Sequence, residues 1–280
     1  MQLLHLKLNI KKMKLFFSLV ILAFTATNIV SAQYFYNDII ATGLSNTQQQ
    51  LLLANKIRLV KAQSKELDNT VTEGFTVEQK INKDASEIIT TTKSSAGVSA
   101  VLSSYYVGGK ISKTKNASND ILTVTDYIYD NNGLLQTITS ATTDTSMNSF
   151  SSETHTWFFN ASNNPVKMYR VKNNTDTTFV DFVLDDKQMV AVENWRRKDK
   201  ITESYFYYYN DKNQLTDIVR YNDCLQKMLP DFVYEYDAAG RVKQMIQVLA
   251  GGSNYNTWKY SYNENGLKQK ETCYDKQKQL

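Results

Sequence analysis

The chain is poor in proline and histidine, with two of each among 280 residues. The prolines, Pro165 and Pro230, mark no proline-rich linker, so we expect one continuous body. Beyond residue 32 the single histidine is His155, too few for a histidine-based zinc site or a catalytic triad. Because a lone histidine has no partner set, we interpret His155 as a satisfied strand residue.

Cysteine is equally scarce, since Cys224 and Cys273 are the only two. Export would place them in an oxidising compartment, but they sit two repeat units apart, where a simple meander would not pair them. Their spacing does not establish the short Cα separation that a bridge requires. Cys224 and Cys273 are therefore a candidate disulfide, with the bridged and the free form both left open.

Long apolar runs are absent except near the N-terminus, where Leu15 to Phe24 follows three lysines between positions 11 and 14. This run is too short to span a bilayer comfortably. The small residues Val30-Ser31-Ala32 then offer a cleavage site before Gln33. We predict that residues 1–32 are a signal peptide. The protein is expected to be periplasmic, at the cell surface or secreted, and not to be an integral membrane protein.

An excess of charge of one sign is also lacking once residues 1–32 are set aside. Residues 1–32 carry four lysines and no acidic residue, so the remainder has 28 basic and 28 acidic side chains. A balanced chain without a dense basic stripe lacks the electrostatic footprint of a nucleic-acid-binding protein. The short basic cluster at 196–200 has acidic neighbours, and we interpret it as solvated surface.

What the chain does contain is a repeated nine-residue pattern, clearest in Tyr234-Glu235-Tyr236-Asp237-Ala238-Ala239-Gly240-Arg241-Val242. The two tyrosines share one face of a strand, because strand side chains alternate. Asp237 can accept backbone hydrogen bonds in an Asx turn, and Gly240 can adopt the positive φ that closes the loop. The pattern predicts a β-hairpin.

Five further copies make the second aromatic or apolar anchor recur at steps of 25 to 30 residues, which indicates one repeated supersecondary unit. An acidic or amide residue at the same position of each copy indicates turn chemistry rather than catalysis. Gln188 stands where other copies have Gly or Asn, so we expect a different turn geometry there. The predicted anchors are Tyr127, Tyr129, Trp157, Phe159, Phe182, Leu184, Tyr207, Tyr209, Tyr234, Tyr236, Tyr260 and Tyr262. The predicted turn residues are Asp130, Gly133, Asp185, Asn210, Asn213, Asp237, Gly240, Asn263 and Gly266.

The organisation follows from these units. Residues 33–118 are predicted to hold an N-terminal docking segment, extended over 33–40, a short helix and degenerate hairpins. Ser45 or Asn46 is expected to cap that helix, which runs to Ala54. Residues 119–280 hold the repeats. With about fourteen to sixteen strands expected, an open sheet curls. We predict an all-β antiparallel meander rolled into a shell, solenoid or barrel-like sheet, with one short N-terminal helix.

At these residues the sequence resembles the YD-repeat (RHS-like) family, named for its tyrosine-aspartate strand-turn signature. The resemblance covers roughly residues 125 to 270 and is most specific at Tyr234 to Val242. It implies hairpins placed side by side in a curled or hollow sheet of an exported bacterial protein, where the repeats act as shell, spacer or ligand-binding surface. The few units, and the end at Leu280 soon after the last of them, indicate a small member without a toxin domain.

The functional hypothesis is a non-enzymatic binding or structural module without a cofactor, because no phosphate loop, nucleophile elbow or cysteine-metal spacing is present. The run at 205–209 is aromatic at every position, so rings must face both sides of a sheet. Tyr205 and Tyr208 are the candidate binding residues, for a glycan or another envelope protein. Double-sided packing is the structural alternative. The functional alternative is a carbohydrate-active enzyme with an unidentified carboxylate pair.

Overall fold

A computed structural model describes residues 34–66, 68–222, 226–249 and 254–277. The predicted signal peptide, residues 1–32, lies outside these ranges. Within them the chain forms one helix and a 17-stranded antiparallel meander, which confirms the predicted all-β class. The helix α1 (Asn37–Ala54) precedes the strands β1 (Leu59–Ala62), β2 (Thr76–Ile81), β3 (Glu87–Lys93), β4 (Ser99–Val107), β5 (Lys110–Ser118), β6 (Ile121–Tyr129), β7 (Leu135–Asp144), β8 (Ser149–Phe159), β9 (Pro165–Lys172), β10 (Asp176–Leu184), β11 (Val190–Arg197), β12 (Lys200–Tyr209), β13 (Leu215–Asn222), β14 (Lys227–Tyr236), β15 (Val242–Val248), β16 (Tyr255–Tyr262) and β17 (Lys268–Tyr274).

Each strand pairs with the next one along the chain, from β1 with β2 to β16 with β17. Short connections make sequence neighbours into neighbours in the sheet. In the described ranges β1 pairs only with β2 and β17 only with β16, so the sheet is not closed. The region before the repeats forms hairpins of the same meander, as the sequence predicts.

The sheet curls around α1, as the packing at the C-terminal half of the helix shows. Leu52 is buried in a cluster with Ile81 of β2 and Tyr106 of β4. Leu267, just before β17, packs against the same cluster, and Leu51 lies beside Gly266. Strands from both ends of the meander therefore meet on the helix. A sheet of this many strands is expected to curl rather than stay flat.

Six hairpin turns of the repeats share one geometry. In the first, Asp130 Oδ1 accepts backbone N–H bonds from Asn132 and Leu134 at 2.9 and 2.8 Å, and Gly133 has a φ of 77°. At Gln188 the φ is 63°, and Asp185 accepts the equivalent two bonds from positions 187 and 189. The prediction of a different geometry at Gln188 is wrong, because the turn hydrogen bonds impose the left-handed conformation on a residue that disfavours it.

A β-bulge lies at the second anchor of every repeat hairpin, where the register of the two strands shifts by one residue. In the last three hairpins that anchor is a tyrosine, whose hydroxyl reaches back to the preceding hairpin. It donates to the carbonyl of the residue that begins the earlier return strand, at 2.7 to 2.9 Å. The pairs are Tyr209 with Val190, Tyr236 with Leu215 and Tyr262 with Val242.

The N-terminal boundary of the predicted helix is wrong. The helix begins at Asn37, so residues 37–40 are helical rather than extended. Ser45 and Asn46 lie inside it, where Ser45 bonds the Tyr106 hydroxyl at 2.9 Å and Asn46 accepts the Ile111 amide at 2.8 Å. These tertiary bonds stabilise a helix whose Thr, Gly, Ser and Asn residues are weak helix formers. Along the described chain, no helix combines the length and apolar character needed to cross a membrane.

Candidate functional site

The interior of the curled sheet contains a fully buried carboxyl group, that of Glu193 on β11. The backbone N–H groups of Phe35 and Tyr36 donate to its two oxygens at 2.7 and 2.9 Å. The Trp195 indole and the Tyr207 hydroxyl each donate at 2.6 Å. Burial raises the pKa of Glu193, and these four donors oppose the shift. Tyr36, the N-cap of α1, makes no side-chain capping bond, and the first N–H groups of the helix bind the carbonyls of residues 34–36 instead, while Glu193 holds the two amides just ahead of the helix.

A second buried hydrogen-bonded network, separate from that of Glu193, begins at Asp38 in the first turn of α1. Its Oδ2 atom lies 2.6 Å from His155 Nδ1 and 3.3 Å from the Trp157 indole nitrogen. His155 Nε2 lies 2.9 Å from Glu153, whose other oxygen accepts from Arg170 at 2.6 Å. His155 is thus held between two carboxylates, and Asp38 ties the helix to β8.

The charged groups of this hydrogen-bonded network shift the pKa values of His155 and Glu153. Burial lowers the pKa of His155, but the adjacent carboxylates of Asp38 and Glu153 outweigh it and raise the pKa to about 9. Burial likewise raises the pKa of Glu153, whereas His155 and Arg170 together lower it to about 2. Near neutral pH both groups are therefore charged.

Aromatic rings line the same part of the interior. The ring of Tyr34 lies 6.0 Å from that of Tyr207 and 5.7 Å from that of Phe232, measured between centroids. Phe35 lies 4.5 Å from Trp195 and 5.1 Å from His155. We call residues 34–38 the N-terminal segment. The side chains that hold it are called the acceptor cleft: Glu193, His155, Trp157, Trp195, Tyr205 and Tyr207.

Tyr205 is fixed by an ion-pair network on β12 to β14. Its hydroxyl donates to Glu203 at 3.0 Å, and Arg220 binds Glu203 at 2.8 Å and Asp231 at 3.1 Å. The Arg220 guanidinium also lies 5.7 Å from the Tyr205 ring centroid. Burial raises the pKa of Asp231, and Arg220 opposes that shift. The Tyr205 ring lies 6.2 Å from that of Tyr34 and 5.4 Å from that of Trp195, so Tyr205 belongs to the wall of the acceptor cleft.

The predicted binding pair Tyr205 and Tyr208 does not form one surface. The two residues are three apart on β12, so their side chains point to opposite faces. Tyr205 is 1% exposed, inside the cleft, whereas Tyr208 is 51% exposed on the outer face. Tyr208 lines a shallow groove there with Val192 and Phe206. Tyr205 and Tyr207 pack in the interior whereas Tyr208 stays exposed, so packing accounts only for the inward-facing rings of the run at 205–209.

The predicted anchors are core residues or half-buried. Trp157, Phe182 and Tyr207 are buried in the main cluster, and Tyr127, Tyr129, Phe159, Leu184, Tyr209 and Tyr234 pack against it. Tyr236, Tyr260 and Tyr262 are half-buried. The predicted turn residues lie in the turns: Asp130, Asp185, Asn210, Asp237 and Asn263 at the first position, and Gly133, Asn213, Gly240 and Gly266 at the fourth.

The candidate disulfide stays a prediction. Cys273 is half-buried on β17 opposite Trp258 and is a free thiol in the structure. Burial raises its pKa to about 11. Cys224 lies outside the described residues, so the pairing of the two is not tested.

Comparisons with known proteins show a loose structural likeness. No protein-family model matches the chain, and no curated protein does. The TcdB2-TccC3-Cdc42 structure is 10% identical over 79% of this chain and 14% of its own, with a TM-score of 0.35. The Tc holotoxin pore of Photorhabdus luminescens is 10% identical over 84% and 17%, with a TM-score of 0.29. A porin-like protein from Bacteroides uniformis is 9% identical over 78% and 94%, with a TM-score of 0.29. The chain thus spans 14% of the first of these structures, and the likenesses assign it neither a family nor an activity.

Sequence reasoning did not identify Glu193 or Asp38 as site residues. The available signal at Glu193 was a carboxylate two residues before Trp195, on the same face of a strand that begins with three apolar residues. Their partners are 157 and 117 positions away, so no local pattern pairs them. His155 is a satisfied strand histidine, as interpreted from the sequence, but its partners come from α1 as well as from its own strand.

The outer face carries a row of exposed rings across three neighbouring strands. Phe158 on β8, Tyr169 on β9 and Phe179 on β10 are 40%, 37% and 41% exposed. Their centroids are 4.8 and 5.1 Å apart along the row. Beside them, Asp181 lies directly opposite Lys167 on the neighbouring strand and forms an ion pair with Arg196. We call Phe158, Tyr169 and Phe179 the outer aromatic row.

Proposed function

We propose that the chain is an exported, non-enzymatic repeat protein of the YD-repeat type, which acts as a binding or structural module at the cell surface or in the periplasm. The observation that carries this proposal is the state of the interior. Glu193 and His155, the groups best suited to acid-base chemistry, are buried and bind the N-terminal segment of the chain itself. The shared turn geometry of the six hairpins supports the YD-repeat assignment.

Because the chain's own N-terminal segment occupies the acceptor cleft, a ligand of this module binds the outer face. Contiguous exposed aromatic side chains on a soluble domain mark interaction surfaces. The outer aromatic row offers apolar ring faces, with Lys167 and Asp181 beside it as hydrogen-bonding groups. Apolar rings with a few polar groups suit a glycan, whose sugar rings have apolar faces and hydroxyl edges.

Binding to a glycan array tests this function. The full chain is expected to bind a polysaccharide, and Phe158→Ala with Phe179→Ala to weaken binding by about ten-fold. Tyr255→Ala is the matched control, because Tyr255 is similarly exposed at 36% but lies on β16, away from the row. Unchanged binding in a folded double variant contradicts the outer aromatic row as the binding face. Hydrolysis of a polysaccharide by the purified chain contradicts the non-enzymatic assignment.

Export is tested separately by cell fractionation and N-terminal sequencing. The chain is expected outside the cytoplasm with Gln33 as its first residue, since the leader is removed on export. Recovery from the cytoplasm with residues 1–32 intact would contradict export, whatever the outcome of the glycan experiment.

A further inference from the structure

We propose that the glycan bound by the outer aromatic row is acidic, with carboxylate groups on its sugar rings, and that Arg196 selects it. The proposal rests on the glycan-binding function above and adds the charge of the ligand. The charged side chains on the outer face of β8 to β12 carry it.

A cationic side chain lies beside each outer ring of the row. Phe158 lies directly opposite Lys167 across the pair β8–β9, and Phe179 lies directly opposite Arg196 across the pair β10–β11. Residues directly opposite each other on neighbouring strands have their side chains on the same face and within contact distance. A sugar that packs on these rings therefore has a positive charge on either side of it.

Arg196 is held in a way that leaves donors for a second carboxylate. Its Nε atom binds Asp181, and its side chain is 34% exposed. Among the residues that the structure describes, its two terminal NH₂ groups have no hydrogen-bond or ion-pair partner. A guanidinium presents five N–H donors in a planar fork that matches the geometry of a carboxylate. Asp181 thus orientates the fork, and the terminal donors can bind the carboxylate of a ligand.

The outer face of β8 to β12 has an excess of positive charge, because most acidic side chains of these strands point inward. Asp181 is the one that lies outward, and it is paired with Arg196. The others bind partners on the inner face: Glu153, Asp176, Glu193 and Glu203. Lys167 and Arg196 therefore face a single carboxylate on this surface. Such a surface attracts an anionic ligand and gives a neutral one no electrostatic gain.

Matched acidic and neutral polysaccharides test the proposal. The full chain is offered immobilised polygalacturonate, alginate and hyaluronate, each beside its own methyl ester, which has the same backbone without the carboxylate charge. At least one of the three acidic polymers is expected to bind about ten-fold more tightly than its ester. Added salt is expected to narrow the difference, because it screens exposed charges. Biolayer interferometry measures the affinities.

Two variants test the role of Arg196. Arg196→Gln removes the fork and is expected to weaken binding of the acidic polymer about ten-fold while leaving that of its ester unchanged. Arg197→Gln is the matched control, because this neighbouring side chain points inward and binds Asp176, and it is expected to leave both affinities unchanged. Phe158→Ala with Phe179→Ala is expected to weaken both forms, since the rings contact the sugar whatever its charge.

The outcomes separate this proposal from the function on which it rests. Equal affinity for each acidic polymer and its ester overturns the selection of charge and leaves glycan binding standing. Binding to none of the acidic polymers overturns the proposal, and the glycan array then shows whether the function fails with it. A preference for the acidic form that persists in folded Arg196→Gln overturns the role of Arg196.

Folding of each variant is checked by circular dichroism. Should Arg196→Gln not fold, Arg196→Lys is used, because it keeps the charge and loses the planar fork. The preference of this variant for the acidic polymer over its ester is expected to be smaller than that of the wild-type chain. An unchanged preference overturns the role of the guanidinium.

Discussion

The hydroxyl of Tyr236 donates a hydrogen bond to the backbone carbonyl of Leu215, 2.7 Å away and one hairpin earlier. The same relationship joins Tyr209 to Val190 and Tyr262 to Val242. The tyrosine preference at the second anchor thus has a physical reason beyond ring burial. Phe159 and Leu184, at the equivalent position of two other hairpins, have no hydroxyl with which to make this bond.

Replacing Tyr236 with phenylalanine is expected to cost about 1 kcal/mol of unfolding free energy, the usual net contribution of a neutral hydrogen bond. Urea unfolding measures the loss. Tyr208→Phe is the control, because the Tyr208 ring is exposed on the outer face. A loss of equal size in the control would show that the bond to Leu215 contributes nothing particular.

The turn at Gln188 offers a stabilising substitution. Its φ of 63° lies in the left-handed region, which costs a non-glycine residue about 1–2 kcal/mol. Gln188→Gly relieves this strain in the folded state, but glycine also makes the unfolded chain more flexible, which offsets part of the benefit. We therefore expect the free energy of unfolding to rise by about 0.5–1 kcal/mol. Asn213→Gly, at the equivalent turn position, is expected to gain less, because asparagine tolerates this conformation. Thermal unfolding of both variants checks the order.

The repeat architecture could be predicted from the sequence because its determinants are local. Asp237 and Gly240 act within one turn, and Tyr234 and Tyr236 share one strand. The inner site could not be predicted, since Glu193 meets Phe35 only after the sheet has curled. The prediction that Ser45 caps the helix is wrong for the same reason. The helix begins at Asn37, where the distant Glu193 binds the backbone just ahead of it, so Ser45 lies inside the helix.

The two neighbouring tyrosines Tyr207 and Tyr209 should differ in their contribution to stability. Tyr207→Phe removes one of four donors to the buried Glu193 carboxyl, and a buried oxygen that loses its hydrogen-bond partner costs about 1–3 kcal/mol. Tyr209→Phe removes a bond to a neutral carbonyl and is expected to cost about 1 kcal/mol. Urea unfolding of both variants at neutral pH measures the difference. Equal losses would show that the bond to Glu193 contributes no more than the bond to the Val190 carbonyl.

Stability should fall as the pH rises from 6.5 to above 9, because of His155. Its pKa is raised from 6.5 to about 9 in the folded protein, so the folded state binds the proton more tightly. The stabilisation is complete below pH 6.5 and is lost as the pH rises through 9, amounting to about 3 kcal/mol. The buried tyrosines, whose pKa values are raised as well, act in the same direction only above pH 10.

Urea unfolding at pH 6 and pH 9 measures this loss, and His155→Gln is the test variant. The variant is expected to be less stable than wild type at pH 6 and to change little between the two pH values, because the titrating imidazole is gone. Glu153 supplies an internal contrast at acid pH: with its pKa lowered to about 2, its stabilisation is present above pH 4.5 and is lost as the pH falls towards 2. Equal wild-type stability at pH 6 and 9 would show that the Asp38–His155 contact does not hold the imidazolium in the folded protein.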